Sequence, residues 1–435
     1  MPSRLLDELL DWLRIPSIST GGGDPADLER AAAWVVRRIN AAGGQGRLVT
    51  TNGNPLAVGE LCAARPGAPT VLAYGHYDVQ SVGDPAAWTT PPFEPDVRDG
   101  RVYARGAADD KGNFLPLLHV ACELAAAGEL PVNVRILVEG EEEAGGEAVA
   151  DWVRADERGA DCAIVFDSGM ADERTPAITI GLRGMVGLGL TVRTAARDLH
   201  SGLYGGSALN ALHALHAMLG AIVPGPDGRP REELRAGIIP PTEAELASWS
   251  KLPAGDEVLA QAGARPMYPG AGGEYYVRNG ADTSIDVNAI HAGEPRTVIP
   301  AVAHATVSQR LAPGQHAPDA LAVLERLLQE AAPPGAELEL SAHLAPPSLF
   351  APDTPAIALA AQALERACGV PAVLMRSGGS IPVVAELAAR GMPVVVSGFT
   401  LDDDAFHAPN ESFRLVALEQ GEAAARELYR ALAAL

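Results

Sequence analysis

Three short, almost wholly apolar runs and one helical pattern between them constrain the fold of this 435-residue chain most strongly. The runs cover 70–74, 132–138 and 162–166, and the helical pattern covers 113–127. Strands without polar alternation are buried on both faces, and strands that alternate with helices form largely parallel sheets covered by helices on both sides. The sequence therefore predicts an α/β fold with a mostly parallel sheet.

A different pattern occupies 184–345, where strands alternate apolar with polar residues and helices follow the 3.6-residue period. Strands that are half buried form a small sheet with helices on one side. Beyond Pro352 the first pattern returns, with a strand expected over 394–397 and a long final helix from Ser412. We therefore predict a discontinuous domain of 1–183 and 346–435, and a smaller inserted α+β domain of 184–345.

The segment between Val223 and Asn288 is rich in proline and glycine. Loops of that length without secondary structure are uncommon inside compact domains. We expect the segment to hold short helices, such as one over 242–252, and to close over something.

The chain carries 33 basic and 55 acidic residues, a formal net charge of −22. This charge repels phosphate backbones and anionic lipids, so we expect neither a nucleic acid nor a membrane partner. Surplus acids serve solubility as well as cation binding, and composition leaves both open. Acids interrupt the apolar run of residues 1–10, which therefore lacks the centre of a signal peptide, and no run is long enough to span a membrane. We expect a cytoplasmic protein.

Acidic and imidazole side chains follow each of the three apolar runs. In chain order they are His76 and Asp78, the acids of Glu139-Gly-Glu-Glu-Glu143, and Asp167. Ligands in open α/β sheets gather beyond the carboxyl ends of the strands, so these side chains are expected to converge. Two further clusters, around Asp109 and His407, precede a helix and follow a late strand.

This set of residues suits metal ions. Imidazole and carboxylate together favour Zn²⁺, with Mn²⁺ or Co²⁺ as alternatives. One ion does not need so many ligands, whereas two ions about 3.5–4 Å apart can share a carboxylate, hold a hydroxide and polarise a carbonyl. Asp78 can accept the second N–H of His76 and so fix its tautomer, as metal-bound histidine usually requires.

Five motifs follow one another along the chain: Gly-His76-Tyr-Asp78-Val-Gln, Gly-Ala-Ala-Asp109-Asp110-Lys-Gly, Glu-Gly-Glu-Glu142-Glu143-Ala-Gly-Gly, Asp198-Leu-His200-Ser-Gly and His407-Ala-Pro-Asn-Glu. In this order and spacing they resemble the dinuclear zinc metallopeptidases that include carnosinase, cytosolic non-specific dipeptidase, aminoacylase and acetylornithine deacetylase. The resemblance spans nearly the whole chain. Arg376-Ser-Gly-Gly-Ser-Ile-Pro382 and the proline- and glycine-rich segment are most similar to the dipeptidase branch. Ala289 departs from this branch, which usually has a glycine there, and leaves the side-chain preference open.

The resemblance implies which residues hold the metals. Asp109 would bridge two ions, and its neighbour Asp110 would follow a cis peptide bond. One metal site would be completed by His76 and Asp167, and the other by Glu143 and His407.

The resemblance also implies a general base. Spacing alone does not choose among the adjacent acids 141–143, but the family pattern Glu-Glu-x-Gly selects Glu142 as the base and Glu143 as a ligand, and leaves Glu141 solvated. Glu142 would take a proton from the metal-bridged water and pass it to the leaving amine.

Residues of the inserted domain would bind the substrate. His200 matches a histidine that polarises the scissile carbonyl, often from the other subunit of a dimer. Arg310 matches an arginine that pairs with the free carboxylate of the substrate, for which a guanidinium is well suited. Backbone N–H groups of Gly378, Gly379 and Ser380 would reach the same carboxylate.

We therefore predict a two-metal hydrolase that cleaves dipeptides or similar small substrates with a free carboxylate. The inserted domain, 184–345, would act as a lid and as the surface of a homodimer. An N-acyl amino acid deacylase or carboxypeptidase with the same mechanism is the alternative. A catalytically silent, peptide-binding relative is the third hypothesis. It predicts that a metal ligand or the general base is missing, and the sequence contains all of these residues.

Overall fold

The computed structural model describes residues 3–435, and Met1 and Pro2, which belong to the amino-terminal segment considered above, lie outside it. The helices are α1 Arg4–Leu13, α2 Pro25–Ala41, α3 Lys111–Ala127, α4 Ala148–Ala155, α5 Ser201–Tyr204, α6 Ala211–Ile222, α7 Glu243–Trp249, α8 Gly255–Gln261, α9 Tyr275–Gly280, α10 Ala317–Ala331, α11 Pro355–Cys368, α12 Pro382–Ala389 and α13 Leu415–Leu432. The strands are β1 Gln45–Val49, β2 Leu56–Leu61, β3 Thr70–His76, β4 Asp96–Arg98, β5 Arg101–Tyr103, β6 Asn133–Glu139, β7 Cys162–Phe166, β8 Ala177–Leu182, β9 Gly184–Arg193, β10 Leu199–His200, β11 Ser284–Ala292, β12 Val298–Ile299, β13 Val302–Leu311, β14 Glu337–Ala345, β15 Ser348–Leu349, β16 Val373–Ser377, β17 Val394–Ser397 and β18 Ser412–Arg414.

The chain forms two compact units. Unit 1 contains the chain up to Ile180 together with Phe350–Leu374 and Pro382–Leu435. Unit 2 contains Gly181–Leu349 and Met375–Ile381. The roles expected from the sequence, catalysis for the first part and a lid and dimerisation surface for the inserted part, stay predictions.

Unit 1 is built on a mixed sheet with the strand order β1-β2-β6-β3-β7-β17-β8. The four central strands, β6, β3, β7 and β17, are parallel, and antiparallel pairs flank them. Their residues are almost all buried, because helices α2, α3, α11 and α12 pack against the sheet. The predicted α/β fold is confirmed.

The carboxyl ends of β3, β6 and β7 meet at one edge of the sheet, because these strands are parallel and adjacent. His76 ends β3 opposite Glu139, which ends β6, and Asp167 follows β7 directly. Helix α3 begins one residue after Asp110 and packs against β3. This sheet edge therefore collects side chains from four segments that are distant in sequence.

Unit 2 contains an antiparallel sheet with the order β11-β13-β9-β14. Buried and less buried residues alternate along β9 and β13, and the buried face forms a core with α6 and α10. This arrangement agrees with the inserted α+β unit expected from the alternating sequence pattern.

Two segments show how local pattern and tertiary context combine. The proline- and glycine-rich segment holds α7, α8 and α9, and α7 begins with a reciprocal capping box between Thr242 and Glu245. The final helix begins at Leu415 rather than at Ser412, because Ser412–Arg414 pairs with Arg101–Tyr103 as a strand.

Among the described helices, none is both long and apolar enough to cross a membrane.

Candidate active site

Two groups of potential metal ligands share one carboxylate in unit 1. The first group is His76, Asp109 and Asp167, and the second is Asp109, Glu143 and His407; within each group the ligand atoms lie within 4.8 Å of one another. Asp109 Oδ1 is 3.1 Å from His76 Nε2, and Asp109 Oδ2 is 2.9 Å from His407 Nε2. Asp109 thus presents one oxygen to each group.

The hydrogen bonds of His76 indicate its tautomer. Nδ1 lies 3.0 Å from the backbone oxygen of Asp78 and 3.4 Å from Asp78 Oδ1, so the backbone carbonyl is the nearer acceptor. Because a carbonyl only accepts, Nδ1 carries a hydrogen, so Nε2 of an uncharged ring would present its lone pair to Asp109 Oδ1. Two acceptors at 3.1 Å require a proton or a cation between them, and the donor set fits a divalent ion.

Electrostatics at this edge also favours a cation. Burial lowers the pKa of His76, but hydrogen bonds to Asp109 and Asp78 outweigh it and raise the pKa well above its usual range. Hydrogen bonds to Asp109 and Glu143 raise the pKa of His407 to about 10. Burial raises the pKa of Glu142 to about 7 against the opposing effect of His76, and the Asp109 carboxylate adds to the increase. Closely spaced carboxylates of this kind repel one another unless a positive charge lies among them.

Asp78 links the end of β3 to the acidic loop after β6. Its carboxylate is fully buried, and Oδ2 accepts hydrogen bonds from Ser19 Oγ at 2.5 Å and from the backbone N–H of Glu143 at 3.1 Å. Glu143 Oε2 in turn accepts from Gln80 Nε2 at 2.8 Å and lies 3.1 Å from His407 Nε2. Asp78 therefore holds Glu143 in place, in addition to its contact with His76.

Glu141 differs from the solvated acid expected from the sequence. Its Oε1 accepts a hydrogen bond from the backbone N–H of Asn54 at 2.9 Å, and Asn54 Nδ2 donates to the carbonyl of Gly140 at 2.7 Å. Glu141 therefore stabilises a neighbouring turn, and it is absent from both groups of potential ligands.

Glu411 is a fully buried residue that ends the last of the five motifs, and neither its spacing nor the family resemblance predicts a role for it. Its Oε2 accepts from Arg105 Nη1 at 2.7 Å and from Gly106 N at 2.9 Å, and its Oε1 accepts from Ala108 N at 2.8 Å and Asp109 N at 3.1 Å. The peptide bond that follows Asp109 is cis, as the resemblance implied. Glu411, four residues after His407, thus anchors the loop that carries the shared carboxylate.

We expect Glu411→Gln to weaken metal binding about 10- to 100-fold, the usual effect of removing a side chain that supports metal ligands. An amide has only one acceptor oxygen, so backbone N–H groups of the Asp109 loop would lose a partner. Equilibrium dialysis of the metal-free protein against Zn²⁺ measures the effect, with the exposed Glu157→Gln as the control. A lower melting temperature with unchanged metal affinity would contradict a role in placing Asp109.

The loop that carries His407 contains three residues in the left-handed region: Ala405, His407 and Asn410 have φ values of 55°, 62° and 62°. This conformation is uncommon for residues other than glycine. Asn410 secures the loop, because its Oδ1 accepts from Thr89 N at 2.8 Å and its Nδ2 donates to Ala87 O at 2.9 Å.

Unit 2 holds the residues predicted to bind substrate. His200 is exposed, and its Nδ1 accepts a hydrogen bond from Gly202 N at 3.0 Å, so the neutral ring carries its hydrogen on Nε2. Arg310 lies on β13, half buried, and its guanidinium has no hydrogen-bond or ion-pair partner within residues 3–435. In the turn after β16, Gly379 N donates to Ser377 Oγ at 3.2 Å, whereas no described acceptor contacts the amides of Gly378 and Ser380.

A family model described as Peptidase family M20/M25/M40 matches residues 72–433. The chain belongs to this family. A cysteinylglycine-S-conjugate dipeptidase of Corynebacterium striatum is 29% identical over 383 residues, which cover 82% of this chain and 80% of that protein. The family resemblance inferred from the motifs is confirmed, as is the prediction of an enzyme.

Two solved structures of similar proteins have the same fold as this M20 peptidase. An M20 family metallo-carboxypeptidase from Sulfolobus solfataricus matches with a TM-score of 0.90 and 25% identity over the whole of both chains. Human carnosine dipeptidase 1 matches with a TM-score of 0.81 and 25% identity over 99% of this chain and 96% of that one. The α/β sheet unit with an inserted α+β unit is therefore shared with these two M20 peptidases.

Proposed function

We propose that this M20 peptidase hydrolyses the amide bond of dipeptides or similar small substrates with a free carboxylate. The observation that carries the proposal is the Asp109 carboxylate, whose two oxygens face His76 Nε2 and His407 Nε2 at 3.1 and 2.9 Å. A carboxylate between two imidazoles is the ligand arrangement that a pair of divalent ions shares. Zn²⁺ is our first choice for both ions, with Mn²⁺ or Co²⁺ as alternatives.

The ligands divide into two sets around Asp109. His76 and Asp167 would complete one metal site, and Glu143 and His407 the other. When bound, such ions lower the pKa of water and polarise the substrate carbonyl.

Glu142 is the proposed general base. Burial raises its pKa in the metal-free protein, and a carboxylate within reach of the attacking water can accept and return a proton near neutral pH. Its carboxylate would take the proton from the attacking water and deliver it to the leaving amine.

Unit 2 would bind the substrate. The hydrogen on Nε2 of His200 supports its role as a donor to the scissile carbonyl oxygen. The guanidinium of Arg310 has no partner among the described residues, which supports its role as a partner of the free carboxylate, with amides of the turn from Gly378 to Ser380 as further donors. A homodimer formed through this unit, closure of a lid and a cytoplasmic location remain predictions from the sequence.

A carboxypeptidase or an N-acyl amino acid deacylase is the second candidate. The similarity to a protein named metallo-carboxypeptidase favours it. Both candidates need a free substrate carboxylate, and they differ in whether the substrate also needs a free amino group close by.

A turnover screen tests the proposal. We expect chelation to abolish activity and Zn²⁺ or Mn²⁺, added separately, to restore it, because hydrolysis requires the ions. Ala-Ala should then be cleaved much faster than N-acetyl-Ala or longer peptides. Preference for N-acetyl-Ala would favour the deacylase, and preference for longer peptides the carboxypeptidase. Absence of turnover with either metal on every substrate would exclude the proposed function.

A further inference from the structure

A second guanidinium lies close to Arg310 in unit 2. Arg183 is only 7% exposed and comes directly before β9. Its Nη1 donates to Ser284 Oγ at 3.3 Å, and Ser284 is the residue directly opposite Arg310 in the β11–β13 pair. Side chains of directly opposed residues project from the same face of a sheet, so the side chains of Arg183 and Arg310 lie on the same face.

Arg183 also holds the turn that follows β16. Its backbone N–H donates to Ser377 O at 3.2 Å, and its Nε donates to Gly378 O at 3.2 Å. A Cβ on Gly378 would lie 3.0 Å from Arg183 Nη2 and 2.9 Å from Asn279 O, so only glycine leaves room here. Arg183 therefore connects Arg310 with the turn, two elements that the sequence assigned separately to the same substrate carboxylate.

Arg183 and Arg310 both lack a contact to a carboxylate among the residues that the structure describes. The guanidinium of Arg183 donates to the neutral carbonyls of Gly378 and Arg278 and to the hydroxyl of Ser284. These hydrogen bonds involve Nε and Nη1, and none of them involves Nη2. Of the two nearby acids, Asp282 is engaged by Arg235, at 3.1 and 3.2 Å. The other, Asp286, is exposed on β11 and forms no hydrogen bond or ion pair with either guanidinium.

The environment of the pair favours an anion. Burial, together with the positive charge of Arg310, lowers the pKa of Arg183 to about 10, and the carboxylates of Asp286 and Asp282 offset this only in part. Two neighbouring cations, one of them buried, repel each other unless an anion compensates them. A carboxylate suits this position, because its two oxygens accept hydrogen bonds from guanidinium groups in a defined geometry.

We propose that Arg183 is a specificity-determining residue, which binds the free carboxylate of the substrate together with Arg310 and the amides of the Gly378–Ser380 turn. The substrate class is then restricted to small amides with an ionised carboxyl end, and substrates with an amidated carboxyl end are rejected. This inference rests on the proposed function and adds to it a residue that no motif marked.

The test compares Ala-Ala with Ala-Ala amide in the full-length, metal-loaded protein. We expect Arg183→Gln to raise KM for Ala-Ala on the order of 10- to 100-fold, as loss of a hydrogen bond to a charged group does. The kcat value should change little, because the same contact is present in the ground state and the transition state. Turnover of the amide should not change, so the preference for the free acid decreases by the same factor.

Two further variants sharpen the result. Arg183→Lys keeps the charge but loses the planar fork, and should give an intermediate KM for the free acid. Arg278→Gln is the matched control, because only its backbone carbonyl contacts Arg183. Its side chain instead contacts Glu274, Tyr268, Asp282 and the carbonyls of Asp227 and Gly228. It should behave as the wild type.

Equal loss with the free acid and the amide would overturn the inference and leave Arg183 a structural role. If Arg183→Gln does not fold, Arg183→Lys replaces it, since an ammonium cannot form the planar fork and should likewise raise KM for the free acid alone. An unchanged KM ratio in that variant would also overturn the inference. Failure of the wild type to cleave any small amide with a free carboxylate would instead refute the proposed function, so the two failures are distinguishable.

Discussion

Glu142→Gln is expected to lower kcat by about 10²- to 10⁴-fold, the usual contribution of general acid–base catalysis, while the protein still binds its metals. The amide keeps the size of the side chain but cannot accept a proton. Steady-state kinetics on Ala-Ala, together with metal analysis of the same sample, measures both quantities.

Glu141→Gln is the matched control for this variant. Glu141 precedes Glu142 in the same acidic run, but its carboxylate accepts a hydrogen bond from the backbone of Asn54. We expect near wild-type kcat for this control, and a small loss of stability at most. A Glu142→Gln variant that binds two metals and keeps full turnover would refute the assignment of the base.

Asp109→Ala is expected to reduce activity to the level of the metal-free protein and to leave fewer than two bound ions per chain. The reason is that Asp109 contacts both His76 and His407, so its removal takes a ligand from each proposed metal site at once. Metal analysis after exhaustive dialysis and turnover with added Zn²⁺ measure the two effects.

The exposed Asp353→Asn serves as the control, because it removes one acid from the surface without touching either ligand group. If the wild type itself binds at most one tight ion, and activity is independent of a second, the bridging role of Asp109 is wrong. Retention of two tight ions by Asp109→Ala would refute it equally.

The elements that the sequence predicted most accurately are short and locally defined. The strand predicted at 162–166 is β7, and the strand predicted at 394–397 is β17, with the same bounds. β7 is wholly apolar, and β17 is three valines followed by the buried Ser397. Burial on both faces of a central parallel strand favours this composition. The apolar pattern of such a strand therefore already indicates that the strand lies in the centre of the sheet.

Predictions were less accurate where pairing with a distant segment decides the conformation. Residues 412–414 were predicted to begin the final helix, but they form β18 because their backbone pairs with β5. A short strand of this kind carries no apolar run of its own, and its existence depends on a partner about 300 residues away in the sequence.

The same distinction applies to the candidate site. His76, Glu143 and Asp167 follow apolar strands, and the parallel pairing of those strands brings their carboxyl ends to one edge, so their convergence was predictable. The choice among the acids 141–143 needed the family pattern. The structure adds that Glu141 binds the backbone of Asn54, which no spacing rule contains.

The sequence by itself determined the α/β class of unit 1, the inserted α+β unit and the convergence of the candidate ligands. The reason is that buried strands and amphipathic helices have recognisable apolar patterns, and that residues after parallel strands lie at the same edge of the sheet. Only the tertiary structure decided what Glu411 and Arg183 do. Glu411 binds a loop about 300 residues earlier in the chain, and Arg183 connects β11 with a turn about 195 residues later. A buried charge derives its role from the groups that surround it, and long-range packing supplies those groups.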